Sequence, residues 1–464
     1  MTVMKVISPV DGSVYAERTL ASDTQTNEAV ERAQHAQRHW RGLSLDKRIQ
    51  YCEAFLQAFT SKEKEIAEEL SWQMGRPIAY TPMEVRTTAA RANEMIRLAS
   101  TGLAPVELPN QPPFERLIRR EPLGTVLVVP AWNYPYLIAI NSVVPALLAG
   151  NTVLLKHSSQ TPLCAERFGE AFEEAGLPQG VFQWLHLSHA QTERLVEDQR
   201  IDFVAFTGSV NGGHAIVNAG RNRFIGMGLE LGGKDPALVR EDCDLDMAIE
   251  NLVDGAFFNS GQSCCGIERI YVHRQVHDAF LEGYVSKVKE YRLGNPLQPQ
   301  TNLGPVVKES AAAYVRSEID KAVGQGAMAH IADSDFDVRD LGACYLAPQV
   351  LSGVNHDMSL MTEETFGPVV GIMAVDSDEE AIQLMNDSRY GLTASVWTTD
   401  NDRALRIGEQ VETGTFFQNR CDFLDPGLAW VGVKDSGRGC SLSQIGYEQL
   451  TRPKSFHLRR STPA

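Results

Sequence analysis

Between residues 25 and 100 apolar positions recur with helical spacing. In TNEAVERAQHAQRHWRGL, Ala29, Val30, Ala33, Ala36 and Trp40 fall on one face. The pattern resumes across DKRIQYCEAFLQAFTSKEKEIAEELSWQMG and stops at Gly75, a residue suited to closing a helix. PMEVRTTAARANEMIRLAS predicts a third helix. Residues 105 to 122, PVELPNQPPFERLIRREP, break the rhythm, and prolines frame short extended pieces. They predict a strand pair leaving the main body as an arm, with the tail from Thr451, TRPKSFHLRR, available to pair with it. From Gly124 the chain alternates. GTVLVVPA, NTVLLKH, GVFQWLHL and IDFVAFTGS are compact strand-like runs, and PLCAERFGEAFEEAG is an amphipathic helix. Strands separated by helices imply βαβ units and a parallel sheet. A second series starts near residue 235, where DLDMAIENLVDGAFFNSGQ predicts a helix running to Gln262 and ERIYVH a strand beyond it. The longest apolar stretch, TVLVVPAWNYPYLIAINSVVPALLAG, is interrupted by Pro130, Asn133, Pro135, Asn141 and Pro145. It reads as a buried turn between elements, not a membrane span.

The length of 464 residues exceeds what one core usually serves, so two or more domains are expected. A formal charge of -16 opposes binding to a polyanionic nucleic acid. The N-terminus lacks the apolar run of a signal peptide, and Asp11 and Glu17 argue against a transit peptide, so a cytoplasmic location is expected. Eight cysteines include no CxxC and no His-Cys cluster of zinc spacing, so no metal is predicted. Cys264 and Cys265 are adjacent, where a structural disulfide would close a strained ring.

Five segments carry residue types suited to chemistry. FTGSVNGG, from Phe206 to Gly213, leaves a strand, turns on Gly208 and enters a helix whose first N–H groups, near Ser209, suit a phosphate. LLKHSSQTP places Lys156 at a strand end, where open α/β sheets bind ligands. ELGGKDP sets Glu230, a potential general base, before two glycines. PAWNYP offers Asn133 as a donor to a developing oxyanion, and EETFGPVV sets Glu364 beside Phe366 at a turn. Taken singly, each also fits an ordinary role: turn glycine, solvated lysine, surface ion pair, capping asparagine.

Their joint order, with NSGQSCCGIERI, closely resembles the NAD(P)-dependent aldehyde dehydrogenase superfamily. The resemblance runs from SPVDGSVYAERTLAS to GVKDSGRG, nearly the whole chain. It implies an α/β fold: a Rossmann-type dinucleotide-binding domain (1–104 and 124–233), an α/β catalytic domain (234–434) and a small β oligomerisation arm (105–123 and 435–464). It implies a homodimer or homotetramer, a small-molecule aldehyde as substrate, NAD or NADP as cofactor, and no nucleic-acid or membrane partner. By the same resemblance Cys264 is the nucleophile of the GQxC pattern, Glu230 the base and Asn133 the oxyanion donor. Trp132 and Lys156 match adenosine-side contacts; Gly208, Ser209 and Gly213 match the pyrophosphate turn; Glu364 and Phe366 match the nicotinamide side. Ser159 stands where many NAD-preferring relatives carry Glu, which removes a charge that would repel a 2′-phosphate. Ser142 and Ser441 replace a Lys and a Glu that many relatives carry, so both charges are lost together.

Tyr134, Asp422, Phe423, Leu424 and Trp430 resemble the walls of the family's substrate tunnel. Tyr134 and Trp430 match part of the aromatic box of aminoaldehyde-oxidising relatives, but Asn141 and Ser263 replace two other box positions. A semialdehyde- or aminoaldehyde-specific enzyme is therefore the alternative to a general aldehyde dehydrogenase, with Arg420 the evident cation for an anionic substrate. A catalytically silent relative is the third reading, opposed by the joint presence of Cys264, Glu230 and Asn133.

Overall fold

Four helices, not three, precede residue 105 in the computed structural model, which describes residues 2–109, 111–332, 334–338 and 341–460. Ser22 caps the first, Asp23–Trp40, through a reciprocal capping box with Gln25. The long periodic stretch divides at Lys62 into Leu45–Ser61 and Glu63–Met74. The hydroxyls of Thr60 and Ser61 donate back to Leu56 O (2.8 Å) and Ala58 O (2.7 Å), competing with helix propagation there. Gly75 then takes φ 82°, a left-handed closure that a side chain resists. The fourth helix is Thr81–Gly102. An N-terminal hairpin, Val3–Ile7 with Val14–Thr19, has no counterpart in the sequence expectations.

A six-stranded sheet runs in the order Gly437–Arg438, Gly226–Glu230, Phe203–Thr207, Thr125–Val129, Thr152–Leu155, Phe182–Trp184. All pairs are parallel except the first. The apolar stretch read as a buried turn is instead largely a helix, Pro135–Leu148, buried on nearly every side. Pro135 occupies its first turn, where no backbone N–H is needed, so the proline starts the helix. Tyr136 from this helix packs with Phe59 and Phe168, and Phe55 stacks on Phe172 at 3.8 Å between ring centres.

A seven-stranded sheet follows in the order Met328–Ala329, Gln349–Ser352, Val369–Val375, Ile267–His273, Asp235–Val239, Thr393–Trp397, Thr415–Gln418. Its inner strands Asp235–Val239 and Thr393–Trp397 are buried along their whole length, as expected of strands covered on both faces. A third sheet has three strands: Thr451–Arg459 pairs along nine residues with Phe114–Pro122, which also pairs with Val106–Glu107. Among the described residues from 435 onward, Thr451–Arg459 is the strand in this arm, while Gly437–Arg438 edges the six-stranded sheet.

One buried residue ties the chain just beyond the strand Gly226–Glu230 to a small two-stranded ladder, Tyr390–Gly391 with Val433–Lys434. Ser436 Oγ donates to Gly232 O (2.7 Å) and accepts from Gly391 N (3.0 Å), while its carbonyl accepts from Leu231 N (2.9 Å). Among the described residues no helix is long and apolar enough to cross a membrane.

Candidate active site

The helix Leu245–Phe257 stops short of Gln262, where periodicity would have carried it. Asn259 (φ 54°), Ser260 (φ 57°) and Gly261 (φ 70°) are all left-handed. For the two non-glycine residues this costs about 1–3 kcal/mol each, so side-chain bonds must hold them. Asn259 Oδ1 accepts from Arg76 Nε (3.1 Å), and its Nδ2 donates to Asn133 O and Gln262 O (both 3.2 Å). Ser260 Oγ donates to Gly304 O (2.8 Å), and Gln262 Oε1 accepts from Val307 N (2.8 Å). The reversal delivers Cys264, half-buried, to the wall of a cavity of about 270 Å³. Gly233 makes room on the other side, since a Cβ there would collide with the Cys264 carbonyl.

The same cavity is lined by Glu230, Tyr134, Asp422, Phe423, Leu424 and Trp430, so the expected tunnel residues are brought together. Asn133 Nδ2 donates to Gln262 O (3.2 Å), two residues before Cys264. Its own carbonyl accepts from Arg76, whose guanidinium also binds Glu84 and lies 4.5 Å from the Tyr134 ring centre. Glu230 ends the strand Gly226–Glu230. Thr207 Oγ1 (3.2 Å) and Ser441 Oγ donate to its two carboxylate oxygens. Burial pushes its pKa up, and the two hydroxyls and Arg91 oppose that rise.

Cys265 is buried, and its thiol donates to Asp422 Oδ1 (3.1 Å). Its pKa is held well above the usual thiol value by the hydrogen bond with Cys264 and by burial. Ser263 Oγ donates to the same Asp422 oxygen (2.7 Å). Both cysteines are free thiols.

The residues matched to the cofactor lie off this cavity. Lys156, just beyond the strand Thr152–Leu155, is buried without an ion-pair partner among the described residues, and burial lowers its pKa to about 8. Ser159 is exposed a short way along the chain. Ser209 caps the helix Val210–Ala219, its Oγ accepting from Gly212 N (3.2 Å). Gly208 is not left-handed. What it needs is space: a Cβ would lie 2.7 Å from the Phe206 ring, and one on Gly213 would lie 2.8 Å from Leu231. Glu364 accepts from Gly233 N (3.0 Å), and burial with the nearby Glu268 raises its pKa to about 7. Phe366 meets Trp132 edge-to-face at 5.7 Å. A buried cation without an ion-pair partner among the described residues, a helix N-terminus at the same end of the same parallel sheet and this aromatic pair fit an anionic dinucleotide.

Several residues of the site escaped the sequence reading. Arg76 and Glu84 organise Asn133 and Asn259. The buried pair Lys234 and Glu268 positions the Glu364 turn, with Glu268 accepting from Phe366 N (2.9 Å). Arg76 follows the helix-closing Gly75 and precedes Pro77, a signal that marked a boundary but not a role. Arg420, expected as the cation for an anionic substrate, is exposed, stacks 3.4 Å from the Phe423 ring centre and does not line the cavity.

Comparison with known proteins agrees in extent as well as kind. The model of the aldehyde dehydrogenase family matches residues 1–456. The NAD(P)+ succinate semialdehyde dehydrogenase Sad of Escherichia coli K12 is 32% identical over 450 residues, covering 96% of this chain and 95% of that protein. An NADP+ succinate-semialdehyde dehydrogenase of Mycolicibacterium paratuberculosis is 31% identical over 458 residues, covering 98% and 96%. Among solved structures, the NADP-dependent glyceraldehyde-3-phosphate dehydrogenase of Bacillus halodurans, complexed with NADP, superposes with a TM-score of 0.92 at 30% identity, covering 99% of this chain and 96% of that one. With a match spanning nearly every residue and the fold reproduced throughout, the chain belongs to the aldehyde dehydrogenase family.

Proposed function

We propose that this protein oxidises an aldehyde to its carboxylic acid with NAD or NADP, using Cys264 as nucleophile. The observation that carries this reading is the strained reversal at Asn259 and Ser260, which sets one thiol on the wall of a cavity that also holds the half-buried carboxylate of Glu230. The Cys264 thiolate attacks the aldehyde carbon, giving a thiohemiacetal. Asn133 Nδ2 carries two N–H bonds; Gln262 O takes one, and the second is left for the oxyanion. Such a donor is worth roughly 3–4 kcal/mol. Bound NAD or NADP would supply the hydride acceptor needed for the thiohemiacetal to become a thioester. Trp132, Lys156, Gly208, Ser209, Gly213, Glu364 and Phe366 would hold it. Glu230, released from Ser441 and Thr207, takes a proton from water, and the resulting hydroxide cleaves the thioester.

The exposed Ser159 supports acceptance of NADP, since no carboxylate stands there to repel a 2′-phosphate. The six-stranded sheet serves as the dinucleotide-binding half, the seven-stranded sheet as the catalytic half, and the arm as the contact between subunits of a cytoplasmic homo-oligomer. The test is NAD(P)H formation with both cofactors across aliphatic, aromatic, amino- and semialdehydes. Wild-type protein and Cys265→Ser should turn over while Cys264→Ser does not. Full activity in Cys264→Ser, or a preference for NAD beyond roughly a thousandfold, would overturn the corresponding assignment.

A further inference from the structure

The cavity holds a second buried arginine that the chemistry above leaves unused. Along the helix Thr81–Gly102, Met83, Glu84, Thr87 and Arg91 recur at helical spacing and form the stripe facing the cavity. Arg91 ends that stripe and is only 6% exposed. Its Nη1 donates to Leu137 O and Asn141 Oδ1 (both 3.0 Å). Its Nε is buried without a partner, no hydrogen bond is made by Nη2, and no carboxylate pairs with it among the described residues. The carboxylates whose charge reaches it are engaged elsewhere: Glu230 by Ser441 and Thr207, Glu84 by Arg76 and Tyr136 N. Arg76, the other guanidinium on the wall, is fully spoken for by Glu84, Asn133 O and Asn259.

A guanidinium is a planar fork that matches a carboxylate in two parallel hydrogen bonds. Taking it out of water without a counter-ion is costly, and an anion entering the cavity relieves that cost. We propose that Arg91 is the anchor for a carboxylate on the substrate, which makes the preferred substrate a short aldehyde with a terminal carboxylate. The inference rests on Cys264 acting as the nucleophile. Asn141 holds the guanidinium from the neighbouring helix Pro135–Leu148, so the anchor and the oxyanion donor Asn133 flank one helix start. Two further carboxyls share the cavity wall: Asp422 accepts from Ser263 and Cys265, Asp254 lies near Tyr80, and burial raises the pKa of both, which lessens their repulsion of an incoming anion.

The experiment compares 4-oxobutanoate, butanal and 4-aminobutanal with wild-type protein, Arg91→Met and Arg91→Lys. Wild type should favour 4-oxobutanoate, and Arg91→Met, compared at a pH above the acid limb of each profile, should lower the ratio of kcat/KM for 4-oxobutanoate over butanal by about a hundredfold or more, even where loss of the Arg91 charge near Glu230 slows both. Arg91→Lys should recover part of the loss. Succinate should raise the melting temperature of wild type, against sodium chloride of matched ionic strength, and have no effect on Arg91→Met. A parallel fall for 4-oxobutanoate and butanal would overturn the proposal and assign Arg91 to Glu230 or to folding. So would a wild-type preference for butanal or 4-aminobutanal. If no aldehyde is turned over, the nucleophile assignment fails, and the succinate shift still decides whether Arg91 holds a carboxylate.

Discussion

Glu230 sits between two opposing influences at the scale of a single carboxyl. Burial raises its pKa, while the Ser441 and Thr207 hydroxyls and the Arg91 charge favour the ionised form. A general base works only when ionised, so kcat should fall as pH drops through a value above the usual carboxylate range. Removing a hydroxyl that stabilises the carboxylate raises its pKa further. Ser441→Ala should therefore move the acid limb of the kcat–pH profile to higher pH. A profile unchanged by that substitution would mean that Glu230 is not the titrating group. Ser441 shares a small recess with Glu230 and Ser142, and of the two serines only Ser441 bonds that carboxylate among the described residues.

At the scale of elements, close approach matters more than flexibility. The Cys264 carbonyl lies against Gly233 where a side chain would stand. Gly233→Ala should displace the nucleophile loop, lowering kcat by an order of magnitude or more and stability by about 1–3 kcal/mol. Steady-state kinetics and thermal melting read the two effects separately, and unchanged kcat would show that the loop yields without cost. Compact β-branched runs such as TVLVV and ERIYV were legible as strands, whereas in the seven-stranded sheet only Ile267–His273 was singled out. The helix Pro135–Leu148 was not, because its prolines mark a start and a tolerated interior position rather than a turn. The break at Lys62 was hidden because the hydroxyls of Thr60 and Ser61 act through their own backbone, which apolar spacing does not register. Among site residues, Cys264, Glu230 and Asn133 stood out by order along the chain. Arg76, Arg91 and Glu84 did not, since an arginine on an amphipathic helix looks solvated until the fold buries it.

Across the whole molecule, the arm exposes a long sheet edge. Thr451–Arg459 pairs on one side with Phe114–Pro122 and on the other with no strand among the described residues. An open nine-residue edge is a template for another strand, which fits subunit pairing through the arm. Deleting residues from Thr451 onward should lower the mass seen by light scattering to that of one chain; an unchanged mass would place the subunit contact elsewhere. The fastening at Ser436 has a different consequence, one of timing. Its hydroxyl closes on Gly232, 204 positions earlier in the chain. At a synthesis rate of about 5–20 residues per second, Gly232 waits roughly 10–40 s for that partner to be made. Throughout that interval the edge of the six-stranded sheet lacks its last strand, so a nascent chain stalled before residue 430 carries Asn133, Glu230 and Cys264 yet has neither the Ser436 tie nor the strand Gly437–Arg438.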